Sequence, residues 1–245
     1  MTPTFRAAWF VPLLWCLTLL PLASQAATTT GSGRIATETR RVPDFEAIAL
    51  AGSIDLHVRQ GAQPALEVSA DDNLLSLLET RVESGPRGVT LRVSWKRGAT
   101  IVTRSRVVVN VVVPQLKSLS GAGAGDLTVE SFDTPALQVS LAGAGDVKLP
   151  GLRTGELGVG ISGSGVVSGS GHATKLAIRI AGSGDVRLDD LQADEVTVRI
   201  AGSGDAAVVA QKSLEVSVAG SGDVTYRGDA TVRKSIMGSG CVTRK

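Results

Sequence analysis

The chain has 245 residues, of which 29 are glycine; Phe, Trp and Tyr together make up 3%, and the formal net charge is +2. A charge so near zero excludes the clustered basic footprint of a nucleic-acid binder. With so few aromatics, a core of this size must be assembled from Val, Ile, Leu and Ala.

Residues 1–26 read as an export signal. Arg6 supplies a short positive region, Ala7–Ala23 is apolar and uncharged, and Ser24-Gln25-Ala26 sets small residues before a cut after Ala26. Interrupted by Pro12 and Pro21, the apolar run is marginal for spanning a bilayer. Trp15 is too bulky to precede a lipidated Cys16, and no second apolar stretch of spanning length occurs further along the chain. Cleavage leaves a net charge of +1 and Cys241 as the sole cysteine, so neither an internal disulfide nor a cysteine-rich metal site is expected.

Residues 27–44 read as an N-terminal linker. From 45 to 120 the pattern is irregular and strand-rich, with runs at Phe45–Ala51, Ile54–Arg59, Ala65–Ser69, Val89–Trp95 and Ile101–Val113. Asp71-Asp72-Asn73 is placed to cap one helical turn over Leu74–Leu78. The run Val107–Val113 (VVVNVVV) is aggregation-prone if exposed, so it belongs inside a sheet. This region reads as irregular early coils that cap a regular C-terminal part.

Residues 121–245 repeat one phrase. It appears as AGAGD (Ala122–Asp126 and Ala142–Asp146), SGSGV (Ser162–Val166), AGSGD (Ala181–Asp185, Ala201–Asp205 and Ala219–Asp223) and MGSGC (Met237–Cys241). The steps between copies are 20, 20, 19, 20, 18 and 18 residues, too regular for chance. Alternating apolar residues lead into most copies, such as Val196, Val198 and Ile200, which is the signature of a strand with one buried face. A unit this short has no room for a crossover helix and cannot bury its own apolar side, so units must stack. A propeller blade would need about 40 residues. The expected fold is all-β: a right-handed single-stranded parallel β-helix with about 18–20 residues per coil.

The candidate chemistry is sparse. Asp126, Asp146, Asp185, Asp205 and Asp223 would stack one strand spacing apart as a candidate cation ladder; the simpler expectation is that each accepts hydrogen bonds at its own corner. Val166 and Cys241 interrupt the series without disturbing the repeat, which favours the corner role. His57 and His172 stand alone. Gly158–Gly163 fits G-x-G-x-x-G but no helix comes after it, and no G-x-S-x-G occurs. The basic group Lys96, Arg97, Arg104 and Arg106 reads as solvated charge beside the cap strands, as do Arg179 and Arg199 on equivalent outward positions of adjacent coils. No catalytic residue, cofactor or metal site is assigned.

The stretch Gly52–Val93, opening GSIDLHVRQ and succeeded by repeated GSGD corners, resembles the head GIN domain family, labelled an auto-transporter adhesin and common in Gram-negative envelopes. The resemblance covers about Phe45 to Val242. It implies a β-helical fold and a location in the periplasm or at the cell surface, with no established catalytic residues to carry over. The expectation is therefore a non-catalytic adhesin or scaffold whose partners are an envelope polysaccharide, a surface protein or a second copy, and not nucleic acid. The alternative is a carbohydrate-active or carbohydrate-binding β-helix, similar to a polysaccharide lyase; an enzyme of that kind would need a groove lined by clustered, non-repeating polar residues.

Overall fold

The computed structural model describes residues 28–85 and 88–245. The expected export signal lies outside them. The described residues hold strands, turns and a single 3₁₀ turn, and no helix among them is long and apolar enough to cross a membrane.

The N-terminal part contains β1 (Thr28–Thr30), β2 (Ile35–Arg40), β3 (Ala47–Ala51), β4 (Asp55–Gln60) and β5 (Ala65–Asp71). The 3₁₀ turn Leu75–Leu77 then leads to β6 (Leu78–Gly85), β7 (Gly88–Trp95), β8 (Thr100–Val102) and β9 (Val108–Val113). The solenoid proper continues with β10 (Ser118–Gly123), β11 (Leu127–Val129), β12 (Asp133–Gly143), β13 (Asp146–Gly163), β14 (Val166–Gly182) and β15 (Asp185–Gly202). It closes with β16 (Ala206–Gly220), β17 (Val224–Arg227), β18 (Thr231–Gly238) and β19 (Val242–Arg244).

Each coil pairs in parallel with the next. The register runs Gly123, Gly143, Gly163, Gly182, Gly202, Gly220 and Gly238, so the steps read in the sequence are the coil lengths of a β-solenoid. The unequal steps are absorbed away from the glycine corner, at register shifts between Leu149 and Leu152, Ser168 and Ser170, and Leu188 and Gln192, with another between Ala193 and Glu195. Inside, apolar side chains stack into ladders such as Leu119, Val139, Val159, Ile178, Val198 and Val216, each at most 1% exposed. Burying one such side chain contributes about 1.5–3 kcal/mol. Phe132 is the one large aromatic fully buried among the described residues. Thr134 and Thr154 also point inward, and their hydroxyls donate to backbone carbonyls of Leu116 and Glu156.

The corner depends on two glycines per copy. The first has positive φ, between 125° and 141° along the series. A Cβ on Gly202 would stand 2.1 Å from the carbonyl oxygen of Gly182, and one on Gly204 would stand 2.0 Å from that of Gly184. The coils touch backbone to backbone there, so no side chain fits.

The N-terminal end is closed by a change of strand direction. β9 pairs in parallel with β4 on one side and antiparallel with β5 on the other, while β6 and β7 form an antiparallel hairpin on β3. The VVVNVVV run therefore lies inside a sheet, with Val109, Val111 and Val113 buried. Residues Thr28–Arg40, within the stretch expected as a linker, carry β1 and β2; β2 pairs antiparallel with β5 and β1 pairs in parallel with β8. The turn after Asp71-Asp72-Asn73 is present, but no side chain caps it. Instead Asp71, 1% exposed, accepts from the hydroxyls of Thr103 and Ser105, and Asp72 accepts from Ser32.

Candidate functional site: an outward face of small residues

The strand leading into each corner turns alternate residues outward, where the register aligns them across coils. One column runs Arg92, Ala49, Ser120, Ser140, Gly160, Arg179, Arg199 and Ser217. Its neighbour runs Ser94, Ala51, Ala122, Ala142, Ser162, Ala181, Ala201 and Ala219. Because nearly every residue is Ala, Ser or Gly, the face is low and smooth. An open groove of about 670 Å³ runs along it from Arg92 and Glu83 to Gly160 and Ser162. A second, of about 500 Å³, continues from Gly160 and Ser162 past Arg179 and Arg199 to Ser217. The shared residues join the two into one trough.

Arg179 and Arg199 face each other across adjacent coils and are both exposed. Two exposed like charges one strand spacing apart repel by about 1 kcal/mol in water. Other basic residues of these coils have acidic partners: Lys175 with Glu195, Arg187 with Asp185, and Lys212 with Asp194. Among the described residues neither Arg179 nor Arg199 forms an ion pair, and the nearest acid in the register, Glu215, stands diagonally beyond Thr197.

The aspartate series forms the expected column at the corner, and three of its carboxylates accept backbone hydrogen bonds from the next coil. Asp185 accepts from the Asp205 N–H (3.2 Å), Asp205 from that of Asp223 (2.8 Å), and Asp223 from that of Cys241 (2.8 Å). The donor is the next coil's backbone rather than the residue's own turn. Where Val166 interrupts the series, the Asp185 N–H bonds to the Gly165 carbonyl instead. Asp55 belongs to the same column, since its carboxylate accepts from the Asp126 N–H at 3.1 Å. Ala51–Asp55 (AGSID) is thus an eighth copy of the phrase, with Ile54 in place of the second glycine. Among the described residues no group of three or more His, Cys, Asp or Glu side chains is arranged to hold a metal.

The other polar residues singled out by sequence are dispersed. Arg106 pairs with Asp55, Lys96, Arg97 and Arg104 are exposed, and so is His172. His57 does sit in a groove of about 460 Å³, where Arg59, Glu67, Asn110 and Glu130 share the lining with Ala65, Val111 and Val112. Asn110 donates to Glu67 there at 3.1 Å. This non-repeating group forms where the antiparallel cap meets the coils; long-range pairing assembles it, so spacing alone did not reveal it.

The family described as "Putative auto-transporter adhesin, head GIN domain" matches residues 44–230. The chain belongs to this family. Among solved structures, a "putative adhesin" from Bacteroides fragilis is similar at 24% identity and a TM-score of 0.82, covering 89% of this chain and 100% of its own. A "putative lipid binding protein" from Parabacteroides distasonis is 27% identical with a TM-score of 0.74, at 89% and 100% coverage. A "putative adhesin" from Parabacteroides merdae is 23% identical with a TM-score of 0.69, at 89% and 99% coverage. No curated protein matches. For this head GIN domain chain the similarity extends over the cap as well as the repeats.

Proposed function

We propose that this head GIN domain chain is an exported envelope protein that works as a non-catalytic binding scaffold, laying a cell-surface polymer along its outward trough. One observation carries the reading: a continuous floor of Ala, Ser and Gly crosses successive coils without a bulky side chain until Arg179. A surface this even suits an extended ligand that makes the same shallow contacts repeatedly. The interior offers no comparable place, since Val, Ile and Leu ladders fill it. That argues against carrying over the lipid-binding description of the Parabacteroides distasonis neighbour through an internal cavity.

The groove around His57 favours a second reading, a carbohydrate-active site, because it is the kind of local polar cluster that such chemistry requires. The two separate experimentally. The mature protein, starting at Ala27, is incubated with purified envelope polysaccharides, and both retention and chain length are followed. The scaffold reading expects retention of intact polymer, lost when Ser140→Tyr raises a ring from the trough floor while the melting temperature stays within a few degrees. Shortened polymer that disappears with His57→Ala would overturn it, as would retention unaffected by Ser140→Tyr.

A further inference from the structure

We infer that the trough takes an acidic polysaccharide, and that Arg179 and Arg199 form the subsite that grips its carboxylates. This rests on the scaffold reading above and specifies its ligand. Two guanidinium groups stand in register on adjacent coils, exposed and without an acidic partner, on a face whose other members are almost all Ala, Ser, Gly or Thr. Left alone, the pair is electrostatically unfavourable; an anion placed between them converts that repulsion into attraction from both sides. Guanidinium is also the group best shaped to hold a carboxylate, through two parallel N–H donors.

The surroundings specify the kind of anion. The floor between the pair and Arg92 is five strand spacings long and smooth, so the ligand must be an extended chain rather than an isolated ion. At ~4.8 Å per spacing that is about 24 Å. Arg92 already has Glu83 as its partner, which leaves the charge at one end of the trough. A linear polymer with acidic sugars fits this combination: polar contacts to Ser120, Ser140 and Ser217 along its length, and a carboxylate at the arginines. An acidic peptide pairing as a strand would need a free sheet edge, and this is a sheet face. A membrane surface would need basic or large apolar side chains spread over the face, and between Arg92 and Arg179 the outward columns carry only small Ala, Ser and Gly.

The test is binding of polygalacturonate and of neutral dextran of matched length, measured by calorimetry at low and at physiological salt. Anionic phospholipid vesicles serve as a third ligand. Polygalacturonate is expected to bind and to weaken with salt. Arg179→Gln/Arg199→Gln should lose at least about tenfold in affinity, while Arg179→Lys/Arg199→Lys, which keeps the charge but not the fork, should lose less. Lys96→Gln/Arg97→Gln, which removes the same charge from the cap, should bind as the wild type does; an equal loss there would mean net charge alone and would overturn the site. If dextran binds as tightly, with dependence on Ser140 but not on the arginines, the scaffold reading stands and the acidic ligand falls. If neither glycan binds, both fall. Arginine-dependent binding of vesicles in preference to polygalacturonate would overturn the polysaccharide in favour of a lipid headgroup.

Discussion

Gly202 carries two constraints at once: a φ of 137° and 2.1 Å between a notional Cβ and the Gly182 carbonyl oxygen. That carbonyl also accepts the Ser203 N–H at 2.9 Å, so a side chain would disturb the rung that joins the two coils. Gly202→Val is expected to cost about 3 kcal/mol or more from backbone strain and the clash together. Ser203→Val, exposed and with its N–H intact, should leave stability nearly unchanged. Thermal melting of both variants checks this, and an unchanged midpoint for Gly202→Val would sink the corner account. The glycines and aspartates were legible in the sequence because they recur. The destination of the aspartate hydrogen bonds was not, because an in-register stack offers each carboxylate the next coil's N–H as well as its own turn's. Asp55 escaped for a related reason: the cap sets it 71 positions before Asp126, far from the regular step of the later copies.

The cap is where individual elements set behaviour. Strands β2 and β5 reverse the parallel pattern; Asp71, at the end of β5, accepts from the loop beyond β8, and Asn73 just after it donates to the Thr30 carbonyl of β1. Hydrogen bonds from Ser105 and Thr103 hold the Asp71 carboxyl below the ordinary carboxylate range, outweighing the opposing effect of burial. Asp72 is lowered too, chiefly by Ser32. A carboxyl whose folded pKa lies below its unfolded value of about 3.9 adds stability that is fully present above that value. The contribution is lost as pH falls through the folded pKa. The melting temperature of the wild type should therefore decline below about pH 4, and Asp71→Asn should flatten that decline while lowering the plateau above it. Parallel acid melts of the two proteins decide the matter; identical slopes would remove the clamp from the account. The irregular strands of the cap were legible as strands. Their partners were not, since β2 (IATETR) is largely exposed and pairs with residues about 30 positions away.

At the scale of the whole molecule, stability is close to a sum over coils and their interfaces. Excising residues 183–202 removes one coil and joins Gly182 to Ser203, so that Gly182 takes the place of its register partner Gly202. The shortened chain should fold cooperatively, with a lower midpoint and a smaller radius of gyration. Circular dichroism and solution scattering would show this, and a molten or aggregated product would contradict the repeat model. The sequence spacing anticipated the coil lengths directly, whereas it could not show that the uneven steps are taken up opposite the glycine corner, because bulges leave no fixed residue signature.

The evenness of the outward face has a consequence for recognition. From Ala122 to Ala219 the surface nearly reproduces itself at each advance along the axis. A rigid object resting on it can shift by one coil and meet almost the same contacts, so the face alone fixes direction but not phase. Arg179 and Arg199 break that translational symmetry within the trough, and they turn a track on which a chain can slide into one with a marked stop.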